Sequence, residues 1–195
     1  AVLMRLREIC CDPRLVADNW TGSSAKLEAC LELVTEAVAG GHRILLFSQF
    51  TSMLELLAKR LDEAGVSHFT LQGSTPKPVR AEQVRRFNQG EADVFLISLR
   101  AGGTGLNLTA ADIVIHYDPW WNLAAQNQAT DRAYRIGQRN PVQVYRLIAQ
   151  DTIEEKIVEL QQAKQSLADT VTGGADGAIL SMNPEQLLQL LGEEA

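Results

Sequence analysis

The sequence predicts an α/β fold in which a parallel sheet is flanked by helices. Five short runs are rich in residues that favour strands: 44–48, 68–71, 94–98, 113–117 and 142–147. Three of these runs are almost continuously apolar, as expected of strands covered on both faces. Helical patterns lie between the first four runs. Because strands and helices alternate at this rhythm, we predict a parallel sheet with right-handed crossovers.

Each predicted helix carries a start or a stop signal. Apolar residues recur at helical spacing over 27–38. Ser52 and Glu55 form a capping-box pattern, which predicts that the second helix opens there. Pro78 suits the first turn of a third helix, and Gly90 is placed to end it.

The sequence divides into four parts in this interpretation. Residues 1–25 form an N-terminal helix and a linker, and residues 26–150 form the α/β lobe. Residues 151–172 form a C-terminal helix, which Thr152 opens. Residues 173–195 hold a flexible glycine-rich break and a short amphipathic helix.

The composition excludes several classes of protein. The 195 residues are 46% apolar and 22% charged, which is typical of one globular domain. No apolar run reaches the roughly 18 residues that a membrane span needs, and the opening residues lack a signal-peptide core. Three cysteines without a CxxC pair and three scattered histidines predict neither a disulfide scaffold nor a metal site. We therefore expect a soluble, cytoplasmic protein with no membrane contact.

Charge is distributed unevenly along the chain. The net charge is −6, but residues 77–146 hold nine basic and six acidic side chains, a balance of +3. Residues 147–195 hold two basic and nine acidic side chains, a balance of −7. A basic centre fits a face that contacts phosphate groups. Chance clustering of solvated charges would give the same balance, so both interpretations stay open.

Four segments follow the predicted strands at one edge of the sheet. They are Ser48–Phe50, Gly73–Thr75, Arg100–Gly105 and Asp118–Asn122. Ligands of open α/β sheets gather at the carboxyl ends of the strands, and these segments are rich in small, hydroxylated and aromatic side chains. The glycines of the third segment suit either a phosphate cradle or a tight turn. No P-loop pattern is present, so this chain alone has no recognisable means of holding a triphosphate.

A further segment, residues 128–138, carries side chains that suit phosphate binding. On a helix, Arg132 and Arg135 share a face, and Gln128 lies one turn earlier. Two guanidinium groups and an amide on one face form a fork for phosphate oxygens. A solvated surface in which Asp131 pairs with an arginine is the alternative that these residues leave open.

Several longer motifs, in a fixed order, carry a resemblance to a known family. They are LREICCDP at 6–13, KLE at 26–28, ILLFSQF at 44–50 (like motif IV), GST at 73–75 with FN at 87–88, RAGGTGLNLTAAD at 100–112 (like motif V) and DRAYRIGQ at 131–138 (like motif VI). From about Leu6 to Val171 the sequence resembles the second RecA-like lobe of SWI/SNF-family DNA translocases, in helicase superfamily two. Tyr134 and Leu123 depart from the family pattern, which most often has His and Pro at these positions.

The resemblance implies an ATP site that is shared with a second lobe. Arg132 and Arg135 would reach across an interlobe cleft to the ATP phosphates, with Arg135 as the arginine finger. Gln128, Gly105 and Asn107 would lie in the same cleft. A preceding N-terminal lobe would supply the Walker lysine and the acidic Mg²⁺ ligands, so the isolated chain is expected to be inactive as an ATPase.

The resemblance also implies a track for DNA. Six residues would contact the phosphates of one strand: Ser48, Gln49, Gly73, Ser74, Arg100 and Gly102. Trp121 would press on the DNA backbone; its alternative is packing under the C-terminal helix, a role that suits Trp120 better. The helix at 151–172 would be the family's brace across the lobes.

By resemblance, the chain is the second motor lobe of an ATP-dependent double-stranded DNA translocase or remodelling ATPase. Its compact motifs fit a prokaryotic, nucleoid-associated member, and a DNA-bound protein such as RNA polymerase is one candidate for what it displaces. A strand-separating helicase that acts on DNA or RNA is the alternative within the superfamily. A non-catalytic interaction module is the alternative outside it.

Overall fold

Strands and helices alternate along the chain in a computed structural model that describes residues 2–17, 19–102, 106–131 and 141–170. The strands are β1 Ile44–Ser48, β2 His68–Leu71, β3 Val94–Ser98, β4 Ile113–His116 and β5 Gln143–Arg146. The helices are α1 Val2–Cys11, α2 Ala25–Ala39, α3 Thr51–Glu63, α4 Lys77–Asn88, α5 Leu99–Gly102, α6 Leu123–Thr130 and α7 Ile153–Thr170, and a 3₁₀ turn covers Pro13–Leu15.

The five strands form one parallel sheet in the order β2-β3-β1-β4-β5. β1 is the central strand, and Leu46 lies between Leu96 of β3 and Ile115 of β4. β4 ends one residue earlier than predicted, although the N–H of Tyr117 still donates to the carbonyl of Phe47 at 2.9 Å. The predicted parallel α/β sheet, with a strand in each of the five runs, is confirmed.

Helices cover both faces of the sheet. Leu46 packs with Leu54 on the side of α2 and α3, whereas Phe95 packs with Phe87 on the side of α4. The rings of Phe87 and Phe95 lie 5.3 Å apart, centroid to centroid. Because successive side chains of a strand point to opposite faces, a strand buried on both faces needs an unbroken apolar run. This explains the continuous runs of β1, β3 and β4.

The start of α3 differs from the predicted capping box. The helix begins at Thr51 with Phe50 as its N-cap residue, and no side chain accepts a hydrogen bond from its first turn. The predicted cap by Ser52 and Glu55 is therefore wrong. Phe50 is 8% exposed, and its N–H donates to the Oγ of Ser48 at 3.2 Å. Packing of this ring against the core, rather than a polar cap, sets where the chain enters the helix.

Helix α7 is fastened to the lobe by polar contacts in its first and third turns. A buried ion pair joins Lys26, at the start of α2, to Glu154. The Glu154 carboxylate also accepts the N–H of Ala149 at 2.8 Å, while burial raises its pKa. Farther along the helix, Gln161 donates from its Nε2 to the carbonyl of Trp120. The predicted amphipathic helix within 173–195 lies outside the described residues.

The three cysteines, Cys10, Cys11 and Cys30, are free thiols. Burial raises the pKa of Cys30 to about 12, so this thiol stays protonated at neutral pH. Within the described part of the chain, no helix combines the length and the apolar character needed to cross a membrane.

His116, the last residue of β4, joins the sheet to α6. Its Nε2 lies 2.8 Å from the Oγ1 of Thr130, and its ring stacks on Phe47 with centroids 5.5 Å apart. The Thr130 hydroxyl donates to the carbonyl of Gln126, so it is free to accept from the imidazole N–H. The Nδ1 on the other side of the ring is buried, and it has no hydrogen-bond partner among the described residues.

We predict that His116 makes folding stability depend on pH. Burial, with a smaller contribution from the charge of Arg146, lowers its pKa to about 4. The unfolded chain takes up this proton below about pH 6.5, so stability is complete above that pH and is lost as pH falls toward 4, by about 3 kcal/mol at most. Urea unfolding at pH 7 and pH 4.5 measures the loss.

The variant His116→Gln should show a smaller loss between the two pH values, because it has no titrating ring. Thr130→Val is the matched control: it removes the hydrogen-bond partner but keeps the imidazole, so it should be less stable at both pH values and keep the loss at low pH. Equal pH dependence in wild type and His116→Gln would contradict the assignment.

Candidate functional site

The loops that follow β1 and β2 meet the last residue of β3 in one cleft at the carboxyl edge of the sheet. The cleft has a volume of about 510 Å³. Its lining includes Gln49, Gly73 and Ser74, together with Ser98 at the end of β3. The first turn of α3 and Glu8 of α1 complete the wall. Three residues that the resemblance assigns to DNA therefore share one concave surface, although Gln49 lies more than 20 positions before Gly73 and Ser74.

Gly73 and Ser74 occupy an exposed turn after β2. The turn is closed by Thr75, whose N–H donates to the carbonyl of Gln72 at 3.1 Å and whose Oγ1 accepts from the N–H of Gln72 at 3.0 Å. A Cβ added at Gly73 would meet nothing within 4 Å. The turn is held by its own hydrogen bonds and leaves open space in front of Gly73, as a backbone approach to a phosphate requires.

Asp118, directly after β4, ties that loop to the loop after β1. Its carboxylate is 2% exposed and accepts from the Ser48 hydroxyl and from the Gln49 side-chain amide, each at 2.5 Å. The backbone N–H of Gln49 lies 3.3 Å from the same carboxylate. Burial raises the pKa of Asp118, and the bonds from Ser48 and Gln49 oppose that rise. The two loops therefore have one fixed relative position.

The side chains of Ser48 and Gln49 are thus occupied inside the lobe. Ser48 is 0% exposed, and its hydroxyl donates to Asp118 while it accepts from Phe50. Gln49 is half-buried and lines the cleft, but its amide donates to Asp118 and, more weakly, to the carbonyl of Pro119. In the structure both side chains hydrogen-bond to Asp118. Contact of Ser48 and Gln49 with DNA stays a prediction.

A buried arginine lies between the same two loops. Arg7 of α1 is 3% exposed and donates from Nη2 to the carbonyl of Pro119 at 2.7 Å. Its guanidinium carbon lies 5.7 Å from the ring centroid of Phe50 and 5.6 Å from that of Trp121. Trp120 instead packs against the core on the α4 side of the sheet.

The sequence patterns did not single out Arg7 or Asp118 for these roles. One available signal was Asp118 in an otherwise apolar strand end, because a carboxylate there needs buried donors. The other was Arg7, which stands among apolar residues on one face of α1. The partners of each, at Ser48, Gln49 and Pro119, required the tertiary structure.

The structure describes two of the five residues that the resemblance assigns to the ATP cleft, Gln128 and Asn107. Gln128 is exposed on α6. Asn107 is exposed, and its carbonyl accepts from the Nδ2 of Asn88 at 2.8 Å. Three assigned residues lie outside the described residues: Gly105, Arg132 and Arg135. Of the DNA set, Gly102 ends α5, and the side chain of Arg100 is likewise outside the description.

The departure at Leu123 leaves the helix start intact. Leu123 opens α6, and Asn122 caps it by accepting from the N–H of Ala125 at 3.1 Å. Proline is common at this first helical position because its missing N–H has no partner there. Leucine therefore substitutes without loss of the cap. The other departure, Tyr134, lies outside the described residues.

The cleft is lined mainly by neutral polar residues, among them Ser52, Gln72 and Ser74, with Glu8 as its carboxylate. Among residues 2–17, 19–102, 106–131 and 141–170, no group of three or more His, Cys, Asp or Glu side chains could hold a metal ion. Neutral donors around an open turn suit the phosphate backbone of a nucleic acid.

Comparisons with known proteins identify the family of the chain. The helicase conserved C-terminal domain matches residues 25–137. The putative ATP-dependent helicase/translocase YwqA of Bacillus subtilis is 41% identical over 196 residues, which is 97% of this chain and 21% of YwqA. The chromatin-remodeling ATPase INO80 of Aspergillus terreus is 46% identical over 168 residues, which is 85% of this chain and 10% of INO80.

A solved structure shows the same fold. The C-terminal part of the Fun30 ATPase domain superposes with a TM-score of 0.71 at 28% identity, over 96% of this chain and 60% of that chain. The chain spans about a fifth of the length of YwqA and a tenth of INO80. The sheet is RecA-like. The chain therefore belongs to the helicase conserved C-terminal domain family, as a C-terminal lobe of the SWI/SNF-like branch of helicase superfamily two.

Proposed function

We propose that this lobe is the second motor lobe of an ATP-driven translocase on double-stranded DNA. The observation that carries the proposal is the cleft in which Gln49, Gly73 and Ser74 converge at the carboxyl edge of the sheet. The exposed turn at Gly73 and Ser74 leaves open space in which a phosphate group can approach the backbone. Binding should therefore depend on the DNA backbone and on salt rather than on base sequence.

The ATP phosphates would be contacted from this lobe by Arg132 and Arg135, with Arg135 as the arginine finger. Gln128, Gly105 and Asn107 would lie beside the nucleotide. The finger stabilises the charge that develops on the transferred phosphoryl group, and it is worth about 10³–10⁵ in rate. ATP with Mg²⁺ would supply the phosphoryl group. The Walker lysine and the acidic Mg²⁺ ligands would come from a preceding lobe. Alone, this chain should hydrolyse no ATP.

Motion would follow from closure of the two lobes on ATP and their separation after hydrolysis. Trp121 and the phosphate contacts of the cleft would hold one DNA strand through each cycle. The helix α7, fastened by Glu154 and Gln161, would serve as the brace. A DNA-bound protein such as RNA polymerase is one candidate for what the moving motor displaces.

Strand separation is the second candidate function, since YwqA is named as both a helicase and a translocase. A strand-displacement assay on DNA and RNA duplexes distinguishes the two, because a pure translocase moves without unwinding. A non-catalytic module is less well supported, because no scaffold role requires the pair Arg132 and Arg135.

We predict that Arg135→Ala in the full-length parent protein lowers DNA-stimulated ATP hydrolysis by about two decades or more, the scale of a lost arginine finger. DNA binding should persist, because this side chain would face the nucleotide. Steady-state hydrolysis and a DNA-binding isotherm measure the two properties separately.

Arg60→Ala is the matched control for the loss of one arginine. Arg60 lies in the last turn of α3, at the opposite end of that helix from the cleft, so its removal should leave hydrolysis near the wild-type rate. If Arg135→Ala and wild type hydrolysed ATP equally, motif VI would be structural here and the ATP-site assignment would be withdrawn.

We predict that Gly73→Glu weakens DNA binding, whereas Gly73→Ala does not. A Cβ at this position has open space, so alanine should fold and bind like wild type. A carboxylate there would repel phosphates and raise the DNA concentration for half-maximal ATPase about tenfold at low salt, with a smaller effect at high salt. If glutamate changed nothing at either salt concentration, the cleft would not lie on the DNA track.

A further inference from the structure

Arg7 is a buried cation in an unusual environment. Its guanidinium is 3% exposed, yet none of the ion pairs in the described part of the chain involves it. Burial accordingly lowers its pKa, and the field of Asp118 is the largest opposing influence. Burying an arginine costs free energy unless its donors and its charge are satisfied. The groups that surround Arg7 therefore determine whether it can be buried.

Those groups come from the two loops that Asp118 ties together. Nη2 donates to the carbonyl of Pro119 at 2.7 Å, which fixes the backbone two residues before Trp121. The guanidinium carbon lies 5.6 Å from the Trp121 ring centroid and 5.7 Å from that of Phe50. These distances place a planar cation against two aromatic rings, within the range of favourable cation–π contacts.

Trp121 itself is only half-buried. Its ring meets Arg7 on the protein side, and the next residue, Asn122, is exposed and caps α6. An indole on an exposed loop has two free side-chain torsions, so a contact that fixes its orientation also reduces the entropy lost when it meets a ligand. One guanidinium group thus makes two contacts with this loop: a hydrogen bond to Pro119 and a cation–π contact with Trp121.

We propose that Arg7 is a positioning residue that holds the indole of Trp121 in the orientation in which it meets the DNA backbone. The inference rests on the proposed function, because it takes Trp121 as a DNA contact. It extends the DNA-binding machinery to α1, which precedes the residues matched by the family. Arg7 itself need not touch DNA.

The test uses the full-length parent protein and its DNA-stimulated ATPase. Arg7→Met removes the charge and the fork but keeps an apolar stem, and Arg7→Lys keeps the charge but loses the planar group that contacts both rings. Trp121→Ala removes the ring, and the double variant Arg7→Met with Trp121→Ala closes a cycle. Arg5→Met, at an exposed position of the same helix, is the matched control.

We predict that Arg7→Met raises the half-saturating DNA concentration about tenfold, the size of a desolvated cation–π contact. Turnover at saturating DNA should fall by less than this factor, because the ATP cleft is elsewhere. Arg7→Lys should be impaired in the same sense, and Arg5→Met should match wild type. The double variant should be no worse than Trp121→Ala alone, because Arg7 acts through that ring.

The outcomes separate the two claims. If Trp121→Ala leaves the half-saturating DNA concentration at the wild-type value, the DNA role of Trp121 fails and the proposed function loses a contact. If Trp121→Ala raises it but Arg7→Lys and Arg7→Met do not, the positioning role alone is overturned. It is also overturned if the two effects multiply in the double variant. Should Arg7→Met fail to fold, Arg7→Lys alone decides between these results.

Discussion

The buried carboxylate of Asp118 is the constraint around which the edge of this lobe is built. Burying an ionised carboxylate costs several kcal/mol unless donors surround it. Here the donors come from Ser48, the last residue of the central strand, and from Gln49, which follows it. The loops after β1 and β4 can therefore not move independently. Because the cleft and Trp121 lie on these two loops, the position of each is set relative to the other.

Further polar contacts connect these loops to the helices that pack outside the sheet. The hydroxyl of Tyr117 donates to the carbonyl of Cys11 at 2.9 Å, and Arg7 donates to Pro119. Three consecutive residues after β4 thus hold α1 on one side and the β1 loop on the other. Lys26 lies over the Tyr117 ring, 5.4 Å from its centroid, and pairs with Glu154 of α7. Both outer helices are fastened to the loop that would meet DNA.

The sequence predicted the sheet because β1 and β3 each place four consecutive apolar residues in the buried layer, before a serine at the last position. It also predicted which loops would share an edge, since parallel strands end together. It could not predict that Arg7 would meet Pro119, because the two are 112 positions apart and no local pattern links them. The cap of α3 was predicted wrongly for a related reason: the burial of Phe50 outweighs the local preference of Ser52 for a cap.

In the proposed function, this lobe is half of a two-lobe motor. ATP hydrolysis by the isolated 195-residue chain, with and without DNA and then with the preceding lobe of the parent protein added, tests that claim most directly. We predict no turnover from the chain alone, because its sequence contains no P-loop pattern to hold a triphosphate, and DNA-stimulated turnover once the preceding lobe is present. Robust hydrolysis by the isolated chain would contradict the two-lobe account.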